Sequence, residues 1–166
     1  MAAAEVGPGP DLLVVENSDT YWTAIEVLRN HPTVHPVGAV AWGCGSSFLA
    51  QIPTITIDVA GRGPVTGTVW YWGDLDPEGL TIAANAATAS AQIKGPPIRA
   101  AKQLWAAMAN QPVQSPGTIT WSDVGSEWLG QELHAKLSKV RSRGGRVAQE
   151  AVPEGVIGEW ANTVDQ

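Results

Sequence analysis

"VWYWGDLDPEG", residues 69–79, decides how this chain is read. Four bulky apolar residues run into Gly73, and Asp74 and Asp76 follow. A short apolar run that stops at Gly-Asp reads as a strand covered on both faces. Pro77 reads as the first position of a helix, where its missing N–H costs little. The strand thus delivers two carboxylates into the turn before a helix.

Upstream, "DLLVVEN" (11–17) is a second buried-type strand ending in Glu16-Asn17. "SDTYWTAIEVLRN" then turns helical, with Ser18 or Asp19 as cap and Trp22, Ile25 and Leu28 on one face. His31-Pro32 ends it. "VGAVAW" (37–42) is another buried-type strand, and "GCGSS" turns into a short helix, "SFLAQI". A polar connection with Gly and Pro (58–67) leads to residues 69–72. Downstream, "EGLTIAANAATASAQI" is a helix, "PPIRAAKQLWAAMAN" (96–110) a short strand and then a helix, and "SEWLGQELHAKLSKV" (126–140) one further helix. "RVAQEAVPEGVIGEW" (146–160) reads as a strand or turn before a last helix.

This alternation predicts an α/β fold: a mainly parallel central sheet of about four strands flanked by helices. The functional crevice of such a sheet lies at the carboxyl ends of its strands. Glu16, Asp74 and Asp76 all fall there. Crowded carboxylates repel, and a cation between them relieves the repulsion. Oxygen ligands with open positions suit Mg²⁺ or Mn²⁺, and Glu78 at the helix start could support the site. The structural alternative stays open: Asp74 caps a turn, and Asp76 caps the helix that starts at Pro77.

The bulk properties limit the alternatives. The 166 residues are read as one domain over 11–166, with 1–10 ("GPGP" at 7–10) a flexible lead-in or linker remnant; a free-standing domain and the C-terminal part of a longer protein both stay open. The net charge of −6 argues against a surface that binds nucleic acid everywhere. Half of the ten basic residues nevertheless crowd into one stretch: Lys136, Lys139, Arg141, Arg143 and Arg146. That run is either a solvated face or a set of phosphate contacts. A single cysteine, Cys44, forbids an internal disulfide and fits a cytoplasmic setting; its default reading is a small buried hydrophobe. Neither a signal peptide nor a membrane span is evident.

Other chemistries find little support. "WGCGSSF" lacks the third glycine of a dinucleotide fingerprint. Pro32 and Pro36 keep His31 and His35 off one regular helix, so a zinc pair is not expected. No G-x-S-x-G occurs. A haloacid dehalogenase-type phosphatase wants its D-x-D after the first strand, not the third.

With "LLVVEN", "YWGDLDPEGLTI" and "RVAQEAVP" together, the chain over about 11–160 resembles a Toprim domain. That α/β module is shared by topoisomerases, DnaG-type primases and related nucleases. The details resemble the topoisomerase VI A-subunit branch, and further the C-terminal domain of the Wadjet plasmid-defence nuclease subunit. The resemblance implies a Rossmannoid three-layer sandwich. It implies Glu16 as general acid/base or metal ligand, and Asp74 and Asp76 as Mg²⁺ ligands; Glu150 is a further candidate. It implies DNA as substrate, phosphodiester hydrolysis in plasmid or phage defence or DNA maintenance, and SMC-like partners; a homodimer is compatible with it. A non-cleaving module binding metal, DNA ends or a partner protein is the alternative. Tyr21 and Tyr71 lie in apolar runs read as core, so a covalent tyrosine step is not expected. Little or no cleavage is expected from the chain alone.

Overall fold

The computed structural model of the chain describes residues 1–121 and 125–164. Five strands form one sheet: Ala2–Glu5 (β1), Asp11–Val15 (β2), Val37–Trp42 (β3), Val69–Trp72 (β4) and Ile98–Ala100 (β5). Their order is β1-β3-β2-β4-β5. The pairs β3–β2, β2–β4 and β4–β5 are parallel, and β1 runs antiparallel to β3. Every residue of β2 is buried, as a central strand covered on both faces must be.

The helices are Ser18–Arg29 (α1), Ser47–Ile55 (α2), Pro77–Gln92 (α3), Lys102–Met108 (α4), Ser126–Leu129 (α5), Gln131–Lys136 (α6), Ser138–Ser142 (α7) and Gly155–Ala161 (α8). The crossover β2–α1–β3 steps one way along the sheet, whereas β3–α2–β4 and β4–α3–β5 step the other way. Because such crossovers are right-handed, α1 covers one face and α2 and α3 cover the opposite one. The packing agrees: α2 lies on α3, and α8 packs on both α1 and α4. The stepping direction reverses between β2 and β4. A crevice opens outside the carboxyl ends of strands at such a point.

Several expectations are corrected. The sheet has five strands rather than about four, and residues 1–10 are not a flexible lead-in. Ala2–Glu5 pairs along β3, Arg29 Nε donates to the Glu5 carbonyl at 2.8 Å, and Arg62 Nε lies 3.4 Å from the Glu5 carboxylate. Four residues of plain "AAAE" carry no strand signature of their own; tertiary pairing imposes it. Asn17, not Ser18 or Asp19, caps α1, its Oδ1 accepting from Asp19 N at 2.7 Å and Thr20 N at 3.3 Å. The inner face of α1 is Tyr21, Ala24, Ile25 and Leu28, while Trp22 is 65% exposed. The stretch 126–140 is not one helix: Gly130 sits at φ 78°, a conformation outside the α region, and the chain breaks into α5, α6 and α7. Cys44 is exposed in a turn at φ 52° rather than buried.

Candidate functional site at the strand crossover

Glu16 and Asp74 each leave the carboxyl end of their strand, and β2 and β4 are direct neighbours there, with Val15 beside Trp72. A residue 58 positions away in sequence is thereby brought within hydrogen-bond reach: Asp74 N donates to Glu16 Oε2 at 3.0 Å. The Tyr71 hydroxyl donates to the other oxygen, Glu16 Oε1. Trp42, the last residue of β3, donates its indole N–H to the Glu16 carbonyl at 2.7 Å. Glu16 is therefore held from three strands at once, yet it keeps partial exposure.

Gly73 explains itself in this setting. A Cβ there would stand 2.6 Å from Glu16 Oε2, so the carboxylate occupies the space a side chain would need. Gly79 is the second such position, since its Cβ would lie 2.3 Å from the Asp74 carbonyl oxygen. The two glycines of "WGDLDPEG" are thus close-approach residues that let the turn fold against Glu16.

The last quarter of the chain closes the site. Leu75 and Val147 bridge antiparallel, which lays "RVAQE" alongside the Asp74 turn. Gln149 N donates to Asp74 Oδ1 at 2.9 Å. The Gln149 side chain is fully buried; its Nε2 donates to the Trp72 carbonyl and its Oε1 accepts from Asn17 N at 3.1 Å. One side chain thus satisfies the ends of both central strands. Asn17 Nδ2 also donates to Glu150 Oε2 at 3.1 Å. Neither Gln149 nor Asn17 stands out in the sequence. A lone Gln beside a Glu carries no pattern, and the only available hint was a polar residue inside an otherwise apolar "VAQEAV".

Electrostatics follow from this crowding. Burial raises the Glu16 carboxyl above the ordinary value, and the charges of Asp74 and Asp76 push the same way against the two hydrogen bonds it accepts. Burial likewise raises Asp74, aided by Glu150 and Asp76 and opposed by Gln149 N and the charge of Arg146. Tyr71 is raised by burial and by Glu16 beside it, so its hydroxyl keeps its proton and acts as a donor. That corrects the reading of Tyr71 as core alone: its ring is core, but its oxygen belongs to the site.

The remaining expected residues divide. Asp76 caps α3, with Oδ1 accepting from Gly79 N at 2.8 Å, yet its charge still reaches Glu16 and Asp74. Glu150 sits exposed at the rim. Glu78 is exposed in the first turn of α3 and makes no hydrogen bond or ion pair among the described residues. Members of the basic run meet different partners. Arg146 lies by Asp74, Arg141 stacks on Trp121 with 5.8 Å to the ring centroid, and Lys136 pairs with Glu132 at 2.8 Å. Lys139 and Arg143 are exposed.

Among the described residues, no three His, Cys, Asp or Glu side chains are grouped tightly enough to share one ion. Mg²⁺ does not require such a cage: it keeps several waters and takes one or two carboxylates. Asp74 and Asp76 fit that lighter demand. Each has a single oxygen engaged by a backbone N–H, and each stands in a field of like charge that a cation would relieve. No family model matches this chain, and a search of curated proteins returned no match.

Proposed function

We propose that the chain is a Mg²⁺-dependent, Toprim-type DNA-processing domain whose chemistry is phosphodiester hydrolysis. One observation carries the reading: Glu16 and Asp74, from different strands, meet side by side at the strand crossover, where α/β sheets bind their ligands. Asp74 and Asp76 would hold the ion, which when bound supplies positive charge toward a phosphate. The residues of the chain do the rest. Tyr71 and the Asp74 amide each donate to one oxygen of Glu16, which holds the carboxylate in place at the strand ends. Its raised proton affinity suits it to take a proton from water or return one to a leaving oxygen. Arg146 offsets the anionic field that an incoming phosphate would meet. The resemblance in "LLVVEN" and "YWGDLDPEGL" adds plasmid defence or DNA maintenance as the setting, with SMC-like partners.

A second reading has its own support. Both oxygens of Glu16 are engaged within the fold, and Asp76 serves as a helix cap. That arrangement also suits a module that binds metal and DNA ends without cutting. One experiment separates the two. Mg²⁺ or Mn²⁺ should raise the melting temperature of the wild type and not of Asp74→Asn, because the ion binds only the folded state. Metal-dependent nicking of plasmid DNA that disappears in Glu16→Gln supports the nuclease; a metal shift without nicking supports the binding module. No shift and no nicking would refute both.

A further inference from the structure

Away from the carboxylates, a cavity of about 670 Å³ opens beside the edge strand β5, between α4, α5 and α8. Three tryptophans line it: Trp70, Trp128 and Trp160. Trp70 and Arg99 are register partners on β4 and β5, so both project from the same face of the sheet. Trp70 and Trp160 meet edge to face, their ring planes 79° apart and centroids 6.3 Å apart, forming an aromatic corner. The volume lies within the range of small-molecule sites.

Three features point to a ligand. Trp70 and Trp128 are fixed by hydrogen bonds from their indole N–H groups, to Asp11 Oδ2 at 2.7 Å and to the Ile98 carbonyl at 3.1 Å. Trp160 is only 3% exposed, and its indole N–H, which has no hydrogen-bond partner among the described residues, still reaches solvent. It is therefore free to donate to an acceptor that enters the cavity. Among the described residues the lining also holds two cations, Arg99 and Lys102, and no carboxylate, in a chain with 16 acidic residues against 10 basic ones. Both cations are exposed, and neither is ion-paired among the described residues.

We propose that this cavity binds a nucleoside phosphate, free or as the end of a single strand. A flat heteroaromatic base matches the tryptophan walls, where stacking tolerates any base. Its ring nitrogens and carbonyls can accept the Trp160 N–H. Arg99 and Lys102 take the phosphate; guanidinium is suited to two-point contact with it. None of Glu16, Asp74 and Asp76 lines the cavity, so the proposal is independent of metal chemistry at the crossover.

The test is calorimetric titration in EDTA with adenosine 5′-monophosphate and, separately, with a 5′-phosphorylated single-stranded octanucleotide. Saturable binding of the monophosphate alone identifies a free nucleotide; binding of both identifies a strand terminus as well; binding of the octanucleotide alone identifies a strand end. In each case Arg99→Ala with Lys102→Ala should weaken binding by at least about tenfold, the loss of a charge-assisted contact. Both positions are exposed, so the double variant should keep the wild-type melting temperature. Trp160→Phe, which keeps a ring and removes the N–H, should weaken binding by a smaller factor. Asp74→Asn should leave it unchanged. No saturable binding of either probe, or equal binding by the double variant, overturns the proposal.

Discussion

Two regions hold much of this molecule's charge, and they are built in opposite ways. The carboxylate crevice draws on Glu16, Asp74, Asp76 and Glu150, which are scattered along the chain, and ties Glu16, Asp74 and Glu150 into one hydrogen-bonded net through Tyr71, Asn17 and Gln149. The basic run collects five cations within eleven residues of sequence, and those with described partners are engaged one by one, Lys136 by Glu132, Arg141 by Trp121 and Arg146 by the field of Asp74. What gathers the carboxylates is strand order: β2 and β4 are neighbours, and both end on the same side.

The contrast is open to measurement, and the sharpest test falls on Gln149. Gln149→Ala leaves the buried Trp72 carbonyl and the half-buried Asn17 amide without partners. Denaturant unfolding should show a loss of about 2–6 kcal/mol, one to three for each orphaned group. A loss below about 0.5 kcal/mol, the level of an ordinary surface change, would mean the net does not bind the two strand ends together.

Protonation gives a smaller and signed effect. Unfolded, Glu16 titrates near the ordinary value of about 4.3. Folded, it is raised by burial, so the native state holds the proton longer. Its stabilising share is fully present below the unfolded value and is lost as pH rises through the raised folded value. Glu16→Gln removes that dependence. Melting curves should show the variant gaining on the wild type as pH rises above the ordinary carboxyl value of about 4.3, with the gap narrowed by Mg²⁺. A gap that shrinks with pH would contradict the assigned direction.

The basic run should give the smallest response. Lys139→Ala with Arg143→Ala, both exposed, should change stability by no more than about 0.5 kcal/mol each. A larger loss would show that these cations, too, are built into the fold.

The same contrast explains how far the sequence could be read. The three central strands and α3 were legible because their residues are locally consistent: apolar runs closed by Glu16-Asn17, Gly43-Cys44 and Gly73-Asp74, and a helix announced by Asp76-Pro77. The neighbourhood of Glu16 and Asp74 followed from strand ends alone. β1 was not legible, because "AAAE" becomes a strand only against β3. Nor was the division of 126–140, where one glycine at positive φ outweighs an unbroken helical spacing. Gln149 was invisible for a different reason: its importance lies in what it touches, and both of its side-chain partners are backbone groups far away in sequence.

That distance has a kinetic side. The bond from Asn17 N to Gln149 spans 132 positions, and that from Gln149 N to Asp74 spans 75. Loop-closure cost grows only logarithmically with length, by about 0.6 kcal/mol per doubling, so such long ties are thermodynamically inexpensive. They are slow to find, because non-local contacts must wait for the chain between them to organise. The crevice is thus an assembly that matures late: β2, β3 and β4 can pair while Glu16 and Asp74 still face water without their clamp. Pulse-labelled hydrogen exchange during refolding should find the amides of Asn17 and Gln149 gaining protection after those of Leu13 and Val14. Until that moment the nascent domain carries its carboxylates without the geometry that would give them a task.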